Sequence, residues 1–287
     1  MQGYVATIGM FDGVHLGHQF VLQRVVASAR ENGLQPMAIT FDHTQRREQL
    51  LSPLQDKLML ISRCGIGRVE VLPFTDSLKQ MTAFEFMQHV LRDRFDVRML
   101  LTGYDNRFGH NREEGFADYV RYGRELGIRV ACLPSAGQVS SSLIRQQLAE
   151  GRVGEASRSL GRPYAIAGHV VHGEHVGTGL GYPTANLEAD CRQQLVPAAG
   201  AYAVWVDLKD GAVPRAGMMN IGRRPTFGGH QTTLEVHIFQ LHADLYGRPM
   251  KVSFVERLRS ECRFDSSEAL RQQLHRDADR ARQLLVL

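Results

Sequence analysis

Apolar residues in the first half of the chain follow two alternating rhythms. Short runs of β-type residues at 4–8, 37–41, 69–74, 99–102 and 128–133 read as strands. Between them, apolar residues fall on single helical faces. Leu22, Val25, Val26 and Ala29 stand at i, i+3, i+4 and i+7; Gly33 closes that helix and Pro36 follows. Thr82-Ala-Phe-Glu85 is a capping-box pattern that opens a helix running to about residue 95. Residues 113–126 predict another helix, ended by Gly127. Strands and helices that alternate with short connections imply a parallel sheet covered by helices on both faces.

Near residue 160 the helical period disappears for about a hundred residues. Runs at 166–172, 201–208, 216–221, 233–239 and 251–258 read as strands separated by Gly, Pro and Asn turns, the pattern of a small antiparallel barrel. A last amphipathic helix is predicted over 267–285. The boundary is placed at 150–163, giving an α/β domain over 1–155 and an all-β domain over 160–287.

Composition narrows the class without choosing a function. Of the 287 residues, 43% are hydrophobic and 22% charged, enough apolar side chain for two cores and too little charge for global disorder. The net charge of +4 is small and scattered; it suits an enzyme of anionic phosphates as well as an ordinary solvated surface, and does not argue for a nucleic-acid partner. Cys64, Cys132, Cys191 and Cys262 form no C-x-x-C pair and are read as reduced thiols, which with the lack of a signal-like start points to the cytoplasm. No run of 18 apolar residues is present, so no membrane partner is expected.

The chemistry lies in two stretches. The first is "IGMFDGVHLGHQ", residues 8–19, where a strand runs through glycines into a helix. Free backbone N–H groups at such a turn make an anion site, and Gly13 and Gly17 let a phosphate come close to the main chain. His15 and His18 stand three apart and can point to the same side. Protonated, or as N–H donors, they could hold charge growing on an α-phosphate; the alternatives are a metal pair or two structural histidines. Ser141 or Ser142 reads as the N-cap of a helix that carries Arg145 in its first turns, a set that suits a polyphosphate or is a plain cap with a surface arginine. The second stretch is residues 170–188. Gly173, Gly177, Gly179 and Gly181 form a loop able to cover phosphates, and Thr184 and Asn186 offer oxygens that Mg²⁺ accepts; a glycine-rich hairpin is the other reading. In "TTLEVHIF", residues 232–239, Leu234, Val236 and Ile238 share one strand face, Glu235 and His237 the other. Glu235 is then either solvated or, if the barrel interior opens on a ligand, a general base.

These segments together resemble the bifunctional bacterial riboflavin kinase/FAD synthetase family. The resemblance is carried in the first half by Gly9-x-Phe11-Asp12-Gly13-Val14-His15-x-Gly17-His18, Thr40-Phe41, Val71-Leu72-Pro73-Phe74, Gly103-x-Asp105-x-x-Phe108-Gly109 and Ser140-Ser141-Ser142-x-Ile144-Arg145. In the second it is carried by Gly181-x-Pro183-Thr184-Ala185-Asn186, Gly200-x-Tyr202, Asn220-Ile221-Gly222-x-Arg224-Pro225-Thr226-Phe227, Glu235-x-His237, Leu245-Tyr246-Gly247 and Leu258-Arg259-x-Glu261-x-x-Phe264. It implies a Rossmann-like nucleotidyltransferase domain followed by a Greek-key-like barrel with a C-terminal helix. It implies phosphorylation of riboflavin to FMN, then adenylylation of FMN to FAD with release of pyrophosphate, each with ATP and Mg²⁺.

By the same resemblance His15 and His18 assist AMP transfer, and Gly9, Phe11, Gly17, Asp105, Ser141, Ser142 and Arg145 bind that ATP. Gly177, Gly179, Thr184 and Asn186 hold Mg-ATP in the kinase half, with Thr184 and Asn186 on the metal. Glu235 is the base for the ribityl hydroxyl, and Arg259 and Phe264 border the flavin. Two departures stand out. Residues 41–45 read Phe-Asp-His-Thr-Gln where relatives have a Pro-His-Pro type of segment, and Asn106 replaces an aromatic residue. They leave open a kinase whose adenylyltransferase half is silent. A third is the lack of an arginine in the loop before Gly181.

Overall fold

The computed structural model describes residues 3–42, 49–103, 106–110, 113–134, 137, 139–172, 181–226, 229–241 and 243–286, with side chains from 223 to 231 left aside. His43, Asp105, Gly177 and Gly179 lie outside the described residues. The chain divides into two compact units, Met1–Ser141 and Ser142–Leu287.

Five parallel strands make the sheet of the first unit: β1 (Tyr4–Ile8), β2 (Gln35–Phe41), β3 (Arg68–Leu72), β4 (Val97–Gly103) and β5 (Arg129–Leu133), in the order β3-β2-β1-β4-β5. Neighbouring side chains on a strand go to opposite faces. Val5 and Ala38 therefore join one core with Leu22, Val25 and Ala29 of α1 (Leu16–Glu31) and Ile61 of α2 (Leu54–Arg63). Ala6, Met37 and Ile39 join the other core. There they meet a helix that opens as α4 (Ala83–Glu85), after the short α3 (Asp76–Gln80), and continues as a π-helix over Phe86–Arg94; α5 (Phe116–Leu126) completes that face. The expected capping box is present: Glu85 N–H donates to Thr82 Oγ1, and Thr82 N–H to the Glu85 carboxylate.

Local signals missed three helices, α2, α3 and a third over Val153–Leu160. The buried face of α2 pairs Ile61 with Lys57, four residues earlier, so its apolar period is broken by a charge. The helix α3 is one turn long with no buried residue.

In the second unit, six antiparallel strands close into a barrel. They are β6 (Ala165–Val171), β7 (Ala185–Ala189), β8 (Gly200–Asp207), β9 (Arg215–Thr226), β10 (Gly229–Ile238) and β11 (Pro249–Ser260), in the order β10-β7-β6-β11-β8-β9. The strand β7 is too polar to stand out in the sequence. It is held from both sides, by Val170↔Leu187 with β6 and by Glu235↔Asn186 with β10. The final helix α8 (Ser267–Leu285) has the range its period predicts and packs Ala278, Ala281 and Leu285 against Ala203, Ala216 and Met218.

The two compact units divide at Ser141/Ser142, before the 150–163 read from the change of periodicity. From Ser142 onward α6 (Ser141–Ala149), and all of α7 (Val153–Leu160), group with the barrel unit. The end of α6 is bonded into it: Ala198 N–H donates to Leu148 O at 3.0 Å, and Arg257 donates to Glu150 O at 3.3 Å.

Candidate active sites

A cavity of about 650 Å³ opens at the carboxyl ends of β1, β2 and β4, where the strand order reverses direction from β1. Open α/β sheets bind ligands at such a switch point. Ile8 and Gly9 line it from β1, Phe41 from β2, Gly103 and Asn106 from β4, and His18 from α1.

His15 is the N-cap of α1, with Nδ1 accepting the His18 N–H at 3.3 Å. A neutral His15 in that role carries its proton on Nε2. The two rings stack, 3.6 Å apart and 20° from parallel, and Phe11 meets His18 edge-on at 5.2 Å. A Cβ at position 17 would lie 3.2 Å from the His15 ring, tighter than an ordinary van der Waals contact. The pKa of His18 is held well below the usual imidazole value, first by burial, then by His15 and by the Lys57 ammonium. Its Nδ1 is buried with no hydrogen-bond partner. Of the two forms the sequence allowed, the fold selects a neutral His18.

Gly9, Phe11 and His18 thus line one cavity, with His15 and Gly17 packed behind them. The loop is strained, since Phe11 (φ 49°) and Val14 (φ 38°) both lie in the left-handed region that non-glycine residues rarely adopt. It is held by Asp12, buried, whose carboxylate accepts the Leu51 and Ser52 N–H groups at 3.0 and 3.3 Å. Ser141 and Ser142 are the first residues inside α6 rather than its N-cap, and the Ser141 hydroxyl donates to Asp12 O at 3.0 Å. Ser142 and Arg145 belong to the second unit. Asn106 donates through Nδ2 to Ile8 O, tying the ends of β4 and β1 together. Sequence reasoning missed Lys57, which is fully buried on α2 and donates to Thr40 Oγ1, Phe41 O and Met10 O at 3.0, 3.0 and 3.3 Å. Its only sequence signal was a lysine on the apolar face of a helix.

The second cavity, about 250 Å³, is lined by Thr184, Glu235, His237, Arg259 and Phe264 together with Leu270, Leu274 and Asp277 of α8. It therefore lies between the barrel wall and α8. An open barrel interior was one of two settings the sequence allowed for Glu235; Leu234, Val236 and Ile238 are buried on the opposite face of β10, and Glu235 lines the cavity against α8. Six strands leave an interior only large enough for side chains. Glu235 stands opposite Asn186 of β7 and Asn220 of β9. The His237 Nδ1–H donates to Pro183 O at 2.8 Å, fixing the turn that carries Thr184. Arg259 is oriented by Asp277 (Nε to Oδ2, 2.8 Å) and lies 5.5 Å over the Phe264 ring. Among the described residues no three His, Cys, Asp or Glu side chains gather as metal ligands. The hydroxyl of Thr184 and the amide oxygen of Asn186 are hard neutral donors, suited to a dication that takes its remaining ligands from phosphates.

A switch-point cavity in a parallel α/β unit and a lined pocket under α8 in a barrel unit define a two-domain nucleotide-dependent transferase. The FAD synthetase family profile matches residues 1–145 and the riboflavin kinase (flavokinase) profile matches residues 160–285. The bifunctional riboflavin kinase/FMN adenylyltransferase of Escherichia coli strain K12 is 36% identical over 297 aligned positions, covering 100% of this chain and 94% of that one. The protein of the same description from Haemophilus influenzae is 35% identical, covering 98% and 94%. This chain belongs to the bifunctional riboflavin kinase/FMN adenylyltransferase family. A Streptococcus pneumoniae crystal structure described as a macrolide-efflux protein shares the fold, with a TM-score of 0.89, 29% identity and coverage of 98% and 94%. Among the described residues of this chain, no helix is long and apolar enough to cross a membrane.

Proposed function

We propose that the barrel domain transfers the γ-phosphoryl group of ATP to riboflavin, and that the α/β domain transfers AMP from a second ATP to the FMN so formed. The observation that carries this reading is the pairing of one lined cavity with each of the two matched domains.

In the kinase site Glu235 takes the proton of the terminal ribityl hydroxyl. The hydroxyl oxygen bonds to the γ-phosphorus, the bond to the β,γ-bridging oxygen breaks, and ADP leaves. Thr184 and Asn186 hold Mg²⁺, which neutralises phosphate charge when bound. Arg259 and Phe264 position the flavin. In the transferase site an FMN phosphate oxygen bonds to the α-phosphorus of ATP and pyrophosphate leaves. A neutral His18 donates a hydrogen bond to an oxygen on which charge develops, and His15, stacked behind it, holds that ring in place. Gly9 and Phe11 shape the nucleotide side of that cavity, with Gly17 packed behind; a polyphosphate role for Ser141, Ser142 and Arg145 rests on the family motif alone. The protein works in the cytoplasm with riboflavin, ATP, FMN and FAD as its small-molecule partners.

The test is product analysis. Purified protein is incubated with riboflavin and MgATP, and separately with FMN and MgATP, and the flavins are separated by chromatography. FAD from both incubations is expected. FMN from riboflavin with no FAD from either would leave a kinase joined to a silent transferase fold.

A further inference from the structure

We propose that Lys57 is a positioning residue for adenylyl transfer, a buried ammonium that locks the loop after β1 to the end of β2 behind the transferase cavity. The inference rests on the transferase reading above.

Its ammonium donates to three acceptors at one point. Two are main-chain carbonyls, Met10 O in the loop and Phe41 O at the end of β2; the third is Thr40 Oγ1, which itself donates to Met10 O at 3.1 Å. Met10 and Phe41 both line the cavity beside His18. Met10 also directly precedes Phe11, the first strained residue of the histidine loop. Lys57 therefore grips the loop from behind, at the side away from ligand. An ammonium with no exposure to solvent is an expensive way to fill a core position; an apolar side chain would pack there with no desolvation penalty. What the apolar side chain lacks is the ability to hold two carbonyls and a hydroxyl at one point.

Charge supplies a second effect. Asp12 and Asp42 face Lys57 and favour its protonated form, while burial, the larger influence, brings its pKa down from 10.5 to about 8. The ammonium in turn lowers the pKa of His18, which also faces His15. Lys57 thus links the shape of the loop to the protonation state of the ring that donates to the phosphate.

The experiment uses the full-length protein and both reactions, because the kinase reaction in the same molecule reports whether the chain is folded. Lys57→Met should lower kcat/KM for FMN adenylylation by about ten- to a hundredfold, the loss that a small misplacement of catalytic groups produces. Riboflavin phosphorylation should stay within about twofold of wild type. In the same variant the His18 ring, followed by NMR, should titrate at higher pH than in wild type. Equal loss of both activities, or undiminished FAD formation with an unmoved His18 titration, would overturn the proposal. Should the variant not fold, wild type decides. Its FMN adenylylation should decline above a pH of about 8 as Lys57 loses its proton, while the kinase reaction does not; parallel profiles would count against the proposal. A wild type that makes no FAD at any pH would refute the transferase reading itself.

Discussion

Replacing Asp277 by Ala tests how the kinase pocket is held together. Asp277 is a buried carboxylate on α8, with a side chain 5% exposed. One oxygen accepts from Arg259 Nε at 2.8 Å and the other from Gln273 Nε2 at 2.9 Å. Removing one member of a buried pair typically costs about 3–5 kcal/mol, because the remaining charge is stranded. Arg259 is better placed than that. Its side chain is 19% exposed and keeps Nη1 bonds to Ser260 O and Cys262 Sγ. The expected loss is therefore about 2–3 kcal/mol, or roughly 30- to 150-fold in the folding equilibrium.

Urea unfolding followed by emission of Trp205 reads this directly. Trp205 is the only tryptophan in the chain and packs against the cluster that α8 buries. The double variant Arg259→Met/Asp277→Ala strands no charge and should recover about 1–2 kcal/mol relative to the sum of the single changes. The KM for riboflavin should rise in both single variants, with FMN adenylylation unaffected. A single-variant loss below about 0.5 kcal/mol, or strictly additive changes, would refute the idea that this pair locks α8 over the pocket.

Other outcomes follow from the same geometry. Glu235→Gln should lower riboflavin phosphorylation by about 10²–10⁴-fold and leave FMN-to-FAD conversion intact, and His18→Ala should do the reverse; flavin product assays on each variant separate the two. His18 also makes stability depend on pH. Its folded pKa lies below the unfolded value, so the unfolded chain binds the extra proton and folding stability falls as pH drops below about 6.5. Urea midpoints at successive pH values should show that decline in wild type and a smaller one in His18→Gln; equal slopes would mean that the folded ring is not kept neutral. Gly168→Ala should disrupt barrel closure, because the added Cβ would stand 2.0 Å from Glu188 O, a backbone atom of β7 that cannot move aside. A loss of about 3 kcal/mol or more is expected in the same urea assay, and near-wild-type stability would refute the clash.

Much of the architecture was legible locally. The 3.6-residue period of Leu22, Val25 and Ala29 and the apolar runs of β1, β2, β4 and β5 reflect the burial that makes them a two-faced sheet. The alternation at 234–238 correctly separated Glu235 and His237 from the buried side chains. Elements that owe their form to partners were not legible. The strand β7 exists because β6 and β10 flank it, and α2 presents a lysine where the period calls for an apolar residue.

The sequence alone determined the α/β and all-β halves, the helix over Ser267–Leu285 and the glycine-spaced histidines, since each depends on residues close together in the chain. Tertiary structure alone decided three things. It brought Glu235 of β10, Arg259 of β11 and Leu274 of α8 to one cavity, because strands and helix far apart in sequence meet only in the fold. It made His18 neutral, because burial and the charges of His15 and Lys57 meet only in the fold. And it turned Lys57 from an interruption of helical periodicity into the anchor of a strained loop, because its acceptors lie at the end of β2, 16 and 17 residues away, and in the loop after β1, 47 residues away.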